Sequence, residues 1–191
     1  SLGLVGSEMC IRDRCIMNIL ILTGSAFGHS HTEAVADKIN ELIEKPEHTV
    51  DHLMLRTLNM PLFGQGKTDD VELLKRKAED ADAIIIGTPN YHTSYSGILK
   101  NALDHLSFDE FSMKPVALFC NSGGMRSTDP LTQLRMVIRG VHGMVIPNQI
   151  STTDNDFMKN EDGYYEINDD ELIERISNMV DMLICLLYTS P

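Results

Sequence analysis

Cysteine is scarce: Cys10, Cys15 and Cys185 lie near the two ends, leaving Cys120 alone in the body of the chain. With neither a bridge framework nor a metal-spaced pair there, the sequence reads as that of a protein of a reducing cytosol. Long apolar runs are missing too, and none approaches the ~20 residues of a membrane span. Basic residues are few, 16 lysines and arginines against 28 acids, for a net charge of −12. Phosphate backbones and anionic membranes attract basic surfaces, so neither nucleic acid nor membrane is expected as a partner. Of the histidines, His29 and His31 share one loop while His48, His52, His105 and His142 are scattered, and no metal site is expected.

Several site signatures are absent as well. A Rossmann dinucleotide site wants G-x-G-x-x-G and an acid about 20 residues on, but the second strand runs out as Leu55-Arg56. No Gly-Lys-Ser/Thr follows the first glycine, which excludes a Walker loop. A receiver domain needs an acidic pair after its first strand, and Thr23-Gly24 stands there. The G-x-S-x-G elbow of a serine hydrolase is not found.

Neither end resembles the body. Residues 1–16 have no helical or strand period and no apolar core that would make a signal peptide. E-M-C-I-R-D-R-C at the front and C-L-L-Y-T-S-P at the back resemble translated adapter sequence. Residues 1–16 and 185–191 are therefore expected to be non-native or disordered extensions around one domain, 17–184.

What that domain contains is a regular alternation. The apolar run Ile19 to Leu22 feeds T-G-S-A-F-G-H-S-H-T, Thr23 to Thr32, and then an amphipathic helix with Val35, Ile39, Leu42 and Ile43 on one face. A second strand spans His48 to Leu55, and a helix capped by Asp69 or Asp70 carries Val71, Leu74, Ala78 and Ala81. Ala83 to Ile86 and Val116 to Phe119 are continuous apolar runs, the mark of strands covered on both faces. Ser96 opens a helix between them, and Asp129-Pro130 opens the next. Gly143 to Ile150 is a fifth strand, placed near an edge by Pro147. An excursion over 151–168, turning at Asp162-Gly163, precedes a last helix from Asp169. Residues 151–181 hold ten acids against Lys159 and Arg175, which reads as a solvated face.

Five strand–helix alternations predict an α/β fold, a flavodoxin-like doubly wound parallel sheet of order 2-1-3-4-5 with helices on both faces. In that order the loops at 24–32, 88–96 and 121–129 follow strands 1, 3 and 4 and converge at the switch point. Small residues ahead of a helix start suit a phosphate, because the helix presents unpaired N–H groups there. The plainer alternative makes Gly24 and Gly28 turn residues and Ser30 or Thr32 an N-cap. A hydroxyl-and-glycine loop at a switch point fits a mononucleotide such as FMN.

The segment T-P-N-Y-H-T-S-Y-S-G-I-L-K-N-A-L-D-H-L, Thr88 to Leu106, resembles the P-E-Y-x-x-x-x-S-G-x-L-K-N-A-x-D signature of the NADPH-dependent FMN reductase family. Within that family it is most similar to the azobenzene reductases. Residues 24–32 resemble the family's G-S-x-R-x-x-S-x-N/T phosphate loop, and Ser122-Gly123-Gly124 its third loop. The resemblance implies that Ser25, Ser30, His31 and Thr32 hold the FMN phosphate. It places Pro89, Asn90, Tyr91 and His92 along one edge of the flavin ring, with Ser122, Gly123 and Gly124 opposite. The family's loop arginine is Phe27 here and its common glutamate is Asn90.

The implied activity is hydride transfer from NADPH or NADH to FMN and on to azo compounds, quinones or free flavin. An electron carrier without direct NAD(P)H oxidation is the alternative. Backbone N–H groups at Tyr91-His92 and Gly123-Gly124 are expected to stabilise charge on the reduced ring, with Arg126 a nearby cation. Tyr91 suits stacking on a ring and His92 proton supply to a reduced product. Ser96 is expected as an N-cap, Lys100 and Asp104 as a surface pair, and Met113, Met125, Met136 and Met144 as core or rim filler. The resemblance also implies a homodimer or homotetramer, to which the apolar loop at Met60, Leu62 and Phe63 contributes.

Overall fold

The apolar runs Ile19–Leu22, Ala83–Ile86 and Val116–Phe119 form the centre of a sheet, each side chain alternating between two separate cores. The computed structural model describes residues 17–43 and 48–189, so the expected extension at 1–16 and the helix-closing Pro46 lie outside the described residues. Strands β1 (Met17–Thr23), β2 (His48–Met54), β3 (Ala83–Pro89), β4 (Pro115–Ser122) and β5 (Met144–Thr153) pair in the order β2-β1-β3-β4-β5, all parallel. The five-stranded flavodoxin-like order is the one the alternation predicts.

Helices cover both faces. Ile19, Ile21, Ile85 and Phe119 pack against α1 (His31–Ile43) and α6 (Asp170–Thr189). Their neighbours Leu20, Leu22, Ile84, Ile86 and Leu118 pack on the other side against α2 (Asp69–Asp80), α3 (Gly97–Asp104) and α5 (Asp129–Gly140). A period of two in a strand sends successive side chains to opposite faces, which is why one unbroken apolar run serves two cores. The predicted inward positions of α2, α5 and α6 are buried, apart from Val141, which is only partly covered.

Local details differ from expectation in three places. Thr68, not Asp69 or Asp70, caps α2: its hydroxyl accepts the Val71 N–H, while Asp70 takes the Asn59 N–H instead. Pro147, as expected, lies on edge strand β5, within an irregular stretch where Val116 pairs Val145 and Leu118 pairs Gln149. Met113, Met125 and Met136 are well exposed and Met144 partly so; none fills the core. A short helix, α4 (Phe108–Phe111), was not expected; Ser107 and Glu110 close a capping box on it.

The excursion after β5 folds into a hairpin of β6 (Met158–Lys159) and β7 (Tyr165–Glu166), turning at Gly163, whose φ is +84°. Asp169 then caps α6 by accepting the Glu171 and Leu172 N–H groups. That helix continues past residue 184 to Thr189, with Leu187 still packed on the core.

Candidate functional site

Parallel pairing brings the carboxyl ends of β1, β3 and β4 side by side, and the three predicted loops leave from them. The first loop is drawn tight by its neighbours. Gly24 donates its N–H to Gly87 O and accepts the Ser96 hydroxyl at 2.5 Å. Ser96 simultaneously accepts the Leu99 N–H, so the predicted N-cap of α3 also fastens the first loop to the second. A Cβ at Gly24 would lie 2.7 Å from Leu99 Cβ, so only glycine fits there.

Ser25 is buried and its hydroxyl folds back onto Phe27, donating to the carbonyl at 2.9 Å and accepting the N–H. It shapes the loop from within. Ser30 is the N-cap of α1, accepting the Glu33 N–H through its hydroxyl while its carbonyl accepts that of Ala34. Thr32 is buried in the first turn. Among the described residues, the N–H groups of Gly28, Ser30, His31 and Thr32 have no hydrogen-bond partner. They form the donor set that an anion at a helix start requires. The plainer reading of the loop holds in that Ser30 caps α1.

The His31 ring is engaged elsewhere. Its Nδ1 lies 3.0 Å from Asp154 Oδ1, and the ring packs against Tyr165 and Phe157 at centroid distances of 3.9 and 4.6 Å. The same Nδ1 lies 3.4 Å from the Asn121 side-chain amide, so the ring is held toward β4 and the turn after β5. Burial lowers the His31 pKa below its ordinary value, against the opposing pull of Asp154. The His31 backbone N–H belongs to the unpartnered set above.

The second loop is a tight turn in which Tyr91 and Ser94 exchange backbone hydrogen bonds, with His92 and Thr93 at φ +53° and +63°. Gln133 of α5 pins it, accepting the Ser94 hydroxyl and donating to Thr93 O. The Tyr91 N–H is consequently spent on Ser94 O and is no donor to a ring; the His92 N–H remains. The Tyr91 and His92 side chains are exposed at the mouth.

Asn90 joins the second loop to the third. Its N–H donates to Asn121 O at 2.7 Å and its side-chain amide to Ser122 Oγ at 3.1 Å. Its Oδ1 is buried with no partner. Ser122 is buried, and Gly123 and Gly124 are exposed beside it. Arg126 is not a free cation for this site: both Asp156 carboxylate oxygens accept its Nη2 at 2.9 Å, and its Nη1 donates to Ser151 O.

Sequence reasoning missed three sets of residues. Asp154 and Asp156 lie in the acidic run read as a solvated face, yet they bind His31 and Arg126. Asn121 donates to Asp154 and accepts the Thr152 hydroxyl, tying the third loop to β5. Glu33 accepts the His29 N–H at 2.7 Å and pairs with Arg56 at 2.9 Å. The Ser30-x-x-Glu33 spacing is a capping-box pattern that signals part of this set. Nothing local marks the rest. Cys120 is buried beside Ser151 with its pKa pushed up to about 11 by burial, which makes it an unreactive thiol. No group of three histidines, cysteines or carboxylates is placed for a metal among the described residues.

A flavodoxin-like sheet with unpartnered N–H groups at its switch point, faced by two further loops, has the architecture of the doubly wound mononucleotide-binding class. The family model for NADPH-dependent FMN reductase matches residues 17–157, and the chain belongs to that family. An FMN-dependent NADPH-azoreductase of Staphylococcus aureus is 45% identical over 184 residues, which cover 92% of this chain and 97% of that protein. Among solved structures, the flavoenzyme NAD(P)H:(acceptor) oxidoreductase FerB of Paracoccus denitrificans superposes with a TM-score of 0.76 at 20% identity, over 91% of this chain and 98% of its own. An oxidoreductase of Corynebacterium diphtheriae does so with a TM-score of 0.76 at 19% identity, over 92% and 99%. At those identities the two structures speak for the fold alone.

Proposed function

We propose that the chain is an FMN-dependent oxidoreductase that takes hydride from NADPH, or NADH, and passes it to azo compounds, quinones or free flavin. The observation that carries this is the set of unpartnered N–H groups at Gly28, Ser30, His31 and Thr32, set at the switch point of a chain of this family. The buried, unpartnered Asn90 Oδ1 across the same cleft fits a cofactor that brings its own donors.

FMN, when bound, supplies the two-electron chemistry of hydride uptake and onward transfer. The chain's residues hold and shield it. Backbone N–H groups of the first loop, with the Ser30 hydroxyl, take the phosphate, and Ser25 keeps that loop in shape. Pro89, Asn90, Tyr91 and His92 line one edge of the ring, and Ser122, Gly123 and Gly124 the other. The His92, Gly123 and Gly124 N–H groups answer negative charge on the ring. Tyr91 and His92 face the acceptor at the mouth, Tyr91 as an aromatic surface and His92 as the proton source.

Purified protein is expected to be yellow and to bleach on anaerobic addition of NADPH, with colour loss from an azo dye supplied next. Colourless protein that takes up no FMN on titration would sink the reading.

The acceptor is a small molecule, and no helix among the described residues is long and apolar enough to cross a membrane. The buried single Cys120 of the body supports work in a reducing cytosol. A homodimer or homotetramer is the proposed assembly. Leu62 and Phe63 stand exposed on a loop held firm by Asn101 and His105, which bond Pro61 O. Such a rigid apolar projection suits a second copy. The working domain is proposed to be 17–184.

A further inference from the structure

The phosphate loop lacks the arginine that its family resemblance leads one to expect: Phe27 stands there, 71% exposed. A cation nonetheless reaches the loop from the neighbouring strand. Arg56 follows β2 in a single turn, Leu55–Thr57, anchored by the buried Leu55. Its Nε donates to Glu33 Oε1 at 2.9 Å, and its Nη2 rests on Met54 Sδ at 3.4 Å. A Cβ added to Gly28 would lie 3.2 Å from that same Nη2, so the guanidinium lies directly against the loop backbone. Glycine at 28 leaves the space that this approach needs.

Glu33 makes the placement specific. Its carboxylate, 9% exposed, bridges the guanidinium and the His29 N–H. A buried carboxylate at the foot of an anion site repels a phosphate unless a cation answers it. Arg56 answers it and leaves its outer nitrogen on the loop side, where the fixed fork of the guanidinium suits phosphate oxygens.

We propose that Arg56 is the positive charge of the FMN-phosphate site, held against the loop by Glu33 and replacing the arginine absent at residue 27. The inference rests on the FMN reading above. It makes Arg56 a specificity residue for the phosphorylated flavin and Glu33 its positioning residue.

The test is FMN titration of the flavin-free protein, followed by flavin fluorescence at low and high salt, for wild type, R56M, R56K and E33Q/R56M. R56M is expected to raise the FMN Kd at least tenfold and to flatten its salt dependence, because a screened charge has gone. R56K is expected to lose less than R56M. The double variant, relieved of its unpaired carboxylate, is expected to fold well by thermal melting yet still bind FMN at least tenfold more weakly than wild type. An R56M Kd within twofold of wild type overturns the proposal. Recovery of wild-type affinity in E33Q/R56M overturns it too, since Arg56 then only neutralises Glu33. Failure of the wild-type chain to take up FMN would instead overturn the cofactor assignment, and this inference with it.

Discussion

His31 and Asp154 join across 3.0 Å, fastening the first turn of α1 to the turn that leaves β5. With Phe157 and Tyr165 on the ring, this contact ties the hairpin to the loop after β1. Asp154→Ala is expected to free the hairpin while costing the whole fold little, about 1 kcal/mol or less, because the carboxylate is half exposed. Hydrogen exchange should show residues 158–166 opening severalfold faster. Unchanged protection there would mean that the aromatic contacts alone hold the hairpin.

Two half-buried histidines set an acid-side slope. Burial lowers the pKa of His31 and of His52, whose Nε2 lies 3.0 Å from Thr23 Oγ1. In the window between their folded values and the ordinary 6.5, the unfolded chain binds more protons than the folded one. Stability is therefore fully present above that window and falls as pH drops through it. Thermal melts between pH 7.5 and 5.5 should show a falling Tm, and H31Q and H52Q should each flatten the slope. A Tm that rises toward pH 5.5 would contradict the burial argument.

Ser96 serves two loops at once, so its loss should be felt twice. Ser96→Ala removes the α3 cap and the bond to Gly24 O, together worth ~1–2 kcal/mol. Urea unfolding measures that cost, and a weaker FMN Kd in the same variant reports the slackened first loop. A stability loss with wild-type FMN affinity would separate the two roles.

Gly24→Ala tests close packing in the same place. The new methyl would press on Leu99 Cβ at 2.7 Å, which moves only with the helix, and on Ser96 Oγ at 2.8 Å, which moves only by giving up its bonds to Gly24 O and Leu99 N–H. Overpacking of this kind costs ~1–3 kcal/mol. The expected result is a lower Tm, and a wild-type melt would show that α3 gives way freely.

Arg126 is a structural residue. Arg126→Gln breaks its bidentate bond to Asp156 and its bond to Ser151 O. It is expected to cost ~1–3 kcal/mol in stability and to leave the NADPH KM within about twofold, as the ordinary range of a distant change. A large rise in that KM with normal stability would return Arg126 to the site.

His92 carries the proposed proton. His92→Asn tolerates the left-handed backbone at φ +53° and removes the imidazole. Flavin reduction by NADPH should be unaffected, while dye reduction slows by about 10²-fold at most. An unaltered rate of dye reduction would make water the donor.

The strand order, the two-faced cores and the three site loops were legible in the amino-acid sequence because each is written in neighbouring residues. Ala83 to Ile86 declares a doubly covered strand by its own composition, and Thr88 to Leu106 carries its loop and helix as one string. The helix faces followed for the same reason, since periodicity is local. Only the tertiary structure decided which side chains meet. Thr23 pairs with Met54 in the sheet, and that register, with the turn at Leu55–Thr57, sets Arg56 beside Glu33, 23 residues away in the chain. The return of the hairpin turned Asp154 from one acid in a charged run into the partner of His31, and it set the His31 ring against Phe157 and Tyr165. Hydroxyls and amides have several possible partners, and the choice belongs to whichever group the fold brings within 3 Å or so. Hence Ser25 closes on its own loop, Tyr91 spends its N–H on Ser94, and Asn90 is left with an acceptor facing nothing of the protein's own.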